Sequence, residues 1–207
     1  IYTQNGYVAK NLKFKKINLP NTFTMQRNGG VKAIFVYKKN VFALISALKN
    51  NCLYASIVLL KNKKEVFKTK CLPDVKKNTD FNGLGSSSIH TNDSVFVSIG
   101  APEQKSSKIR KLAQKTDSMF GKIIRINKSD LDEVVIDKKN ILNVNIFTLG
   151  HRNPQGLTKI KNSIFSVEHG PLGGDELNKI VENNNYGWPQ ASYGTQYLYE
   201  EEGKAYD

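Results

Sequence analysis

At 207 residues the chain is long enough for one full domain or two small ones, and 39% apolar with 24% charged residues is a folded balance, not a disordered one. Unbroken apolar runs such as Ala33–Tyr37 and Ile57–Leu60 fall far short of a bilayer span and exclude a transmembrane helix. The formal charge of +13 comes from lysines scattered through short turns, with only four arginines and no aromatic platforms, which argues against a nucleic-acid partner.

Strand signals recur along the chain. Val31–Tyr37, Val41–Ser46, Tyr54–Leu60, Val66–Lys70, Ser94–Gly100, Gly121–Asn127, Glu133–Asp137, Ile146–Leu149 and Ser163–Glu168 are short, rich in β-branched or aromatic residues, and bounded by turn residues. Only Lys108–Lys115 reads as a short helical turn or a loop. Between the third and fourth strands lies the polar turn Lys61-Asn62-Lys63-Lys64, and a hairpin there sets Cys52 opposite Cys71. Paired antiparallel positions are within disulfide reach, which would imply an oxidising compartment; two buried thiols are the alternative.

A weak repeat orders these strands. Asn40–Ser46, Asp93–Gly100 and Asn162–Glu168 each consist of a polar turn followed by a strand with Phe near its start. The expectation is one all-β domain over residues 1–207, a whole or partial β-propeller. At roughly 40–50 residues per blade, the chain makes about four to five blades.

From Leu149 the composition changes. Gly150-His151-Arg152-Asn153-Pro154-Gln155-Gly156-Leu157 directly follows one strand, and Glu168-His169-Gly170-Pro171 with Gly173-Gly174-Asp175-Glu176 follows the next. Then comes Asn185-Tyr186-Gly187-Trp188-Pro189. Gly and Pro at such places fix loop backbones so that carbonyls converge, and carbonyls with Asp175 and Glu176 are hard oxygen donors suited to Ca²⁺. The spacing of His151 and His169, with no Cys nearby, does not suit zinc.

These motifs resemble the glucose/sorbosone dehydrogenase family, the soluble sugar dehydrogenases that use pyrroloquinoline quinone (PQQ). The resemblance is concentrated in residues 117–194, where Asp117–Asn127 resembles the strand closing the preceding blade. It implies a six-bladed propeller, bacterial and periplasmic or secreted, that oxidises an aldose with PQQ and Ca²⁺. Arg152 and Asn153 resemble quinone contacts, where a cation and an amide would stabilise charge growing on the quinone oxygens. Gly170 and Pro171 resemble the carbonyl ligands of a catalytic Ca²⁺. Glu176 and the Tyr186 carbonyl resemble ligands of a second, structural Ca²⁺.

Two departures qualify that resemblance. Asn82 stands where the family has its catalytic His, and Asn has no titratable base near neutral pH. His90 is the nearest His, several residues late. The chain also ends at Asp207, about two blades before a six-bladed ring would close, so further blades or a partner chain would supply the remaining cationic contacts. The competing expectation is a non-catalytic, Ca²⁺-braced propeller of the same family that binds a glycan or a protein.

Overall fold

The computed structural model describes residues 2–10, 13–73, 81–102 and 107–195. A short hairpin, β1 (Tyr7–Lys10) and β2 (Lys13–Lys16), precedes three antiparallel sheets. The first sheet contains β3 (Val31–Tyr37), β4 (Asn40–Lys49), β5 (Cys52–Leu59) and β6 (Lys64–Lys68). The second contains β7 (Ser88–His90), β8 (Ser94–Ile99), β9 (Lys122–Asn127) and β10 (Asn145–Leu149). The third contains β11 (Pro154–Ile160), β12 (Ser163–Glu168) and β13 (Glu176–Ile180).

Every strand pairs with its neighbour in sequence, so each sheet is a plain meander. The turns explain how so short a link reverses the chain. Lys38 and Lys39 (φ 43° and 65°) and Asn50 and Asn51 (φ 49° and 61°) are both left-handed pairs, the backbone that matches strand twist in two-residue hairpins.

The sheets stack through apolar faces. Phe42, Leu44 and Phe67 of the first sheet share a core with Val95, Val97 and Ile124 of the second. On its other face the second sheet presents Phe96 and Ile123 to Ile164 and Ile180 of the third. Each fully buried large side chain stabilises the fold by roughly 1.5–3 kcal/mol, so this stacking dominates the energetics. The outer face of the third sheet differs: the directly paired Val167 and Leu177 remain 51% and 72% exposed.

The disulfide links Cys52, the first residue of β5, to Cys71, with Cα atoms 5.2 Å apart. Cys71 lies beyond the end of β6, but Thr69 N donates to Ala55 O and Leu72 N to Leu53 O. Those bonds carry the pairing past the strand end and bring the two cysteines together.

One expected strand is overturned. Glu133–Asp137 is not extended; the helix α2 (Lys128–Val135) occupies most of that stretch, after a shorter helix α1 (Ser107–Arg110). Burial of Leu131 and Val134, three apart on one helix face, outweighs the β-branched composition of Val134-Val135-Ile136. Lys139, 2.6 Å from Asp130, pins the segment that follows. Residues 108–115 do coil, as the end of α1 and a 3₁₀ turn at Lys111–Gln114. Pro154 and Gly156 predict a loop backbone after Leu149, yet they begin strand β11. It is an edge strand with a register shift between those two residues, where a missing N–H costs little.

Candidate cofactor and substrate cleft

Loops from the second and third sheets are laced together by backbone hydrogen bonds. Gly100 N donates to Gly85 O, Ala101 N to Arg152 O, and His169 N to Asn153 O. Tyr186 N donates to Leu149 O and Trp188 N to Gly150 O. Gly150 (φ 80°) is required here, because a Cβ would collide with the Asn185 side chain and the Tyr186 and Gly187 amides. The motif glycines therefore permit close approach of loops from different strands.

Arg152 is 5% exposed. Its Nη1 donates to His169 O (2.8 Å) and Gly170 O (2.6 Å), and its guanidinium lies 5.2 Å from the centre of the Trp188 ring. Those contacts fix a cation in the wall of a cleft of about 590 Å³, lined also by Asn82, Asn153, Gly170 and Pro171. The structure thus brings the Arg152 and Gly170 loops together around one hollow. Asn153 Oδ1 is buried without a hydrogen-bond partner among the described residues. A Cβ at Gly85 would collide with that atom and with Gln155.

Glu176 and Tyr186 are not on the cleft wall. Asn178 donates to Glu176 Oε2 (2.8 Å) and reaches Glu168 Oε1 at 3.3 Å. Burial pushes the Glu176 carboxyl above its usual range, Asn178 opposing. Tyr186 stacks on His151 with ring centres 4.6 Å apart, and its hydroxyl donates to Lys179 O (2.6 Å) while accepting from Val181 N (2.9 Å). The two residues are therefore linked through a partly buried network, Glu176–Asn178–Glu168–His151–Tyr186, with only Glu168 and His151 fully enclosed. Among the described residues no group of three or more His, Cys, Asp or Glu could hold a metal ion.

Asn82 does line the cleft, and its amide cannot take up a proton at neutral pH. His90, the weaker candidate, is not on that wall. It ends β7 edge-to-face with Phe35, ring centres 6.2 Å apart, and burial lowers its basicity, aided by the Lys128 charge.

The imidazole that does reach the cleft is His169, whose Nδ1 is 3.3 Å from Asp175 Oδ2. Asp175 Oδ1 accepts from Gly170 N (3.1 Å), so the same carboxylate holds the turn and the ring. Sequence reasoning assigned His169 no role, although it directly precedes Gly170. It also missed the buried His151–Glu168 pair, which only the pairing of two loops reveals.

The class follows from sheets of this kind around such a cleft. A protein titled glucose dehydrogenase superposes with a TM-score of 0.66 and 25% identity, over 89% of this chain and 57% of that one. The PQQ-bound form of an aldose sugar dehydrogenase from Streptomyces coelicolor gives a TM-score of 0.60 at 21% identity, over 92% of this chain and 58% of that one. The fold is thus that of the propeller-type sugar dehydrogenases.

The glucose/sorbosone dehydrogenase family profile matches residues 22–206, and the chain belongs to that family. It is 36% identical over 109 residues to the aldose sugar dehydrogenase YliI of Escherichia coli, covering 50% of this chain and 28% of that protein. It is 41% identical over 74 residues to quinoprotein glucose dehydrogenase B of Acinetobacter calcoaceticus, covering 35% of this chain and 16% of that protein. The matched stretches thus span under a third of the length of these relatives.

Proposed function

We propose that the cleft binds an anionic quinone, PQQ, at Arg152 and Asn153, and that the protein oxidises an aldose there. The observation that carries this reading is the buried Arg152 guanidinium, locked by two carbonyls and Trp188 at the cleft wall. A preorganised cation with an amide beside it suits a ligand that is negatively charged and becomes more so on reduction.

When bound, the quinone accepts the hydride leaving the sugar carbon, and Ca²⁺ polarises its carbonyl. Gly170 and Pro171 would hold that ion through main-chain oxygens. Both carbonyls already accept one hydrogen bond, Gly170 O from Arg152 and Pro171 O from Gly174 N, and each keeps a second lone pair. This neutral donor pair beside a guanidinium suits a dication only together with the quinone's own anionic oxygens. The second Ca²⁺, at Glu176 and the Tyr186 carbonyl, has the half-buried Glu176 carboxylate in its favour.

Among the described residues no helix is long and apolar enough to cross a membrane, and the Cys52–Cys71 disulfide favours an oxidising, periplasmic or extracellular setting. A further sheet, from the same chain or a partner, would cover Val167 and Leu177.

The test is an absorbance titration with PQQ and Ca²⁺, followed by dye reduction with glucose and other aldoses. Saturable binding, weakened at least ten-fold by Arg152→Met, supports the reading. No quinone binding overturns it, and binding without dye reduction favours a non-catalytic module, consistent with the amide at Asn82.

A further inference from the structure

A second hollow, of about 350 Å³, lies where the helical segment of residues 107–114 meets the chain leaving β6. It shares no lining residue with the Arg152 cleft. Its cations are Lys70, Lys108, Lys111 and Lys115, all exposed, and the acid in the lining is Asp117. Lys108, Lys111 and Lys115 stand three and four residues apart, which places them on one side of the segment, while Ile109 and Ala113 on the other side are buried. Lys70 Nζ lies 2.7 Å from Asp117 Oδ2, so that carboxylate is matched by one cation and the other three leave the hollow positive.

The floor is apolar and fixed. Phe120 belongs to the core shared by the first and second sheets, and Leu112 packs against that core. Pro73 and the disulfide-bonded Cys71 lie beside them in the lining. The buried Lys122 ammonium donates to both Leu112 O (3.0 Å) and Phe120 O (2.8 Å), tying together the two main-chain segments that carry the floor. Cations around an apolar floor select a ligand that has both characters. A metal ion is repelled, an inorganic anion leaves the Leu112 and Phe120 surface without a partner, and a neutral hydrocarbon leaves the charge unused. The hollow falls within the size range of small-molecule sites and offers no track of aromatic platforms for a nucleic-acid strand.

We infer that this hollow binds a small organic anion, a carboxylate on an apolar body. The body packs on Leu112 and Phe120, and the carboxylate sits among Lys108, Lys111 and Lys115. This site does not depend on the quinone reading above, because no residue is common to the two.

The experiment is calorimetric titration of the quinone-free chain with octanoate and 1-naphthoate, which separate an aliphatic from an aromatic body. Acetate, inorganic phosphate, octan-1-ol and 1-naphthalenemethanol are titrated beside them. At least one of the two carboxylates should bind at a single site, ten-fold or more tightly than its matched alcohol, acetate or phosphate, and should weaken as salt is raised. Lys111→Gln and Lys115→Gln together should weaken that binding at least ten-fold, with a thermal melt confirming that the variant is folded. Acetate or phosphate binding as tightly would reveal an ionic patch only, and an alcohol binding as tightly an apolar patch only. Either result overturns the inference, as does the lack of saturable carboxylate binding or an affinity indifferent to the two lysines.

Discussion

His151 Nδ1 lies 2.6 Å from Glu168 Oε1, and both side chains are essentially sealed from solvent. The pair joins the loop that carries Arg152 to the strand end that leads into His169 and Gly170. Thr148 Oγ1, 2.7 Å from His151 Nε2, and Ser166 Oγ, 3.2 Å from the same Glu168 oxygen, complete the buried set. One polar clamp therefore sets the separation of the two loops that form the cleft.

Removing one side of that clamp strands the others in a dry setting. Glu168→Ala is expected to destabilise the fold by about 3 kcal/mol, because His151, Ser166 and Asn178 lose a common acceptor. Urea unfolding of the variant measures this. A loss under about 0.5 kcal/mol would show that the clamp is dispensable.

Lys122 is fully buried, and its ammonium donates to Leu112 O (3.0 Å), Ala113 O (2.8 Å) and Phe120 O (2.8 Å). Burial pulls its pKa down from 10.5 to about 7, partly opposed by Asp117. Between those values the unfolded chain holds the proton more tightly than the folded one, so folding stability rises with pH from about 7 towards 10.5 and is flat below. Urea midpoints across pH 6–10 should show that rise, and Lys122→Met should flatten it. A wild-type midpoint that falls across the window would contradict the assignment.

The Cys52–Cys71 link closes a loop of sequence separation 19. Replacing both cysteines by serine is expected to cost about 3 kcal/mol, chiefly by freeing the unfolded chain. Denaturant curves with and without reductant should differ by a similar amount in the wild type and coincide in the variant. Two titratable thiols in unreduced, denatured protein would remove the premise.

Gly85 leaves the space into which the Asn153 and Gln155 side chains pack. Gly85→Ala forces both side chains aside, and quinone affinity is expected to fall at least ten-fold while the melting temperature moves only a few degrees. Absorbance titration beside a thermal melt separates the two effects. Unchanged affinity would mean that Asn153 does not depend on the gap.

Local pattern carried much of this protein. The alternation and turn residues around β3, β8 and β12 specify strands wherever they are placed, because the backbone preference and the turn are both local. The unbroken motif from Gly150 to Leu157 likewise singles out Arg152 and Asn153 as candidates, because the residues that carry it are contiguous. The helix α2 was decided otherwise: Leu131 and Val134 gain more by burying one helical face than Val135 and Ile136 gain by extending. The Arg152 cleft and the His151–Glu168 clamp join residues far apart in the chain. Sheet stacking alone brings them together, so their spacing along the sequence holds no trace of the contact.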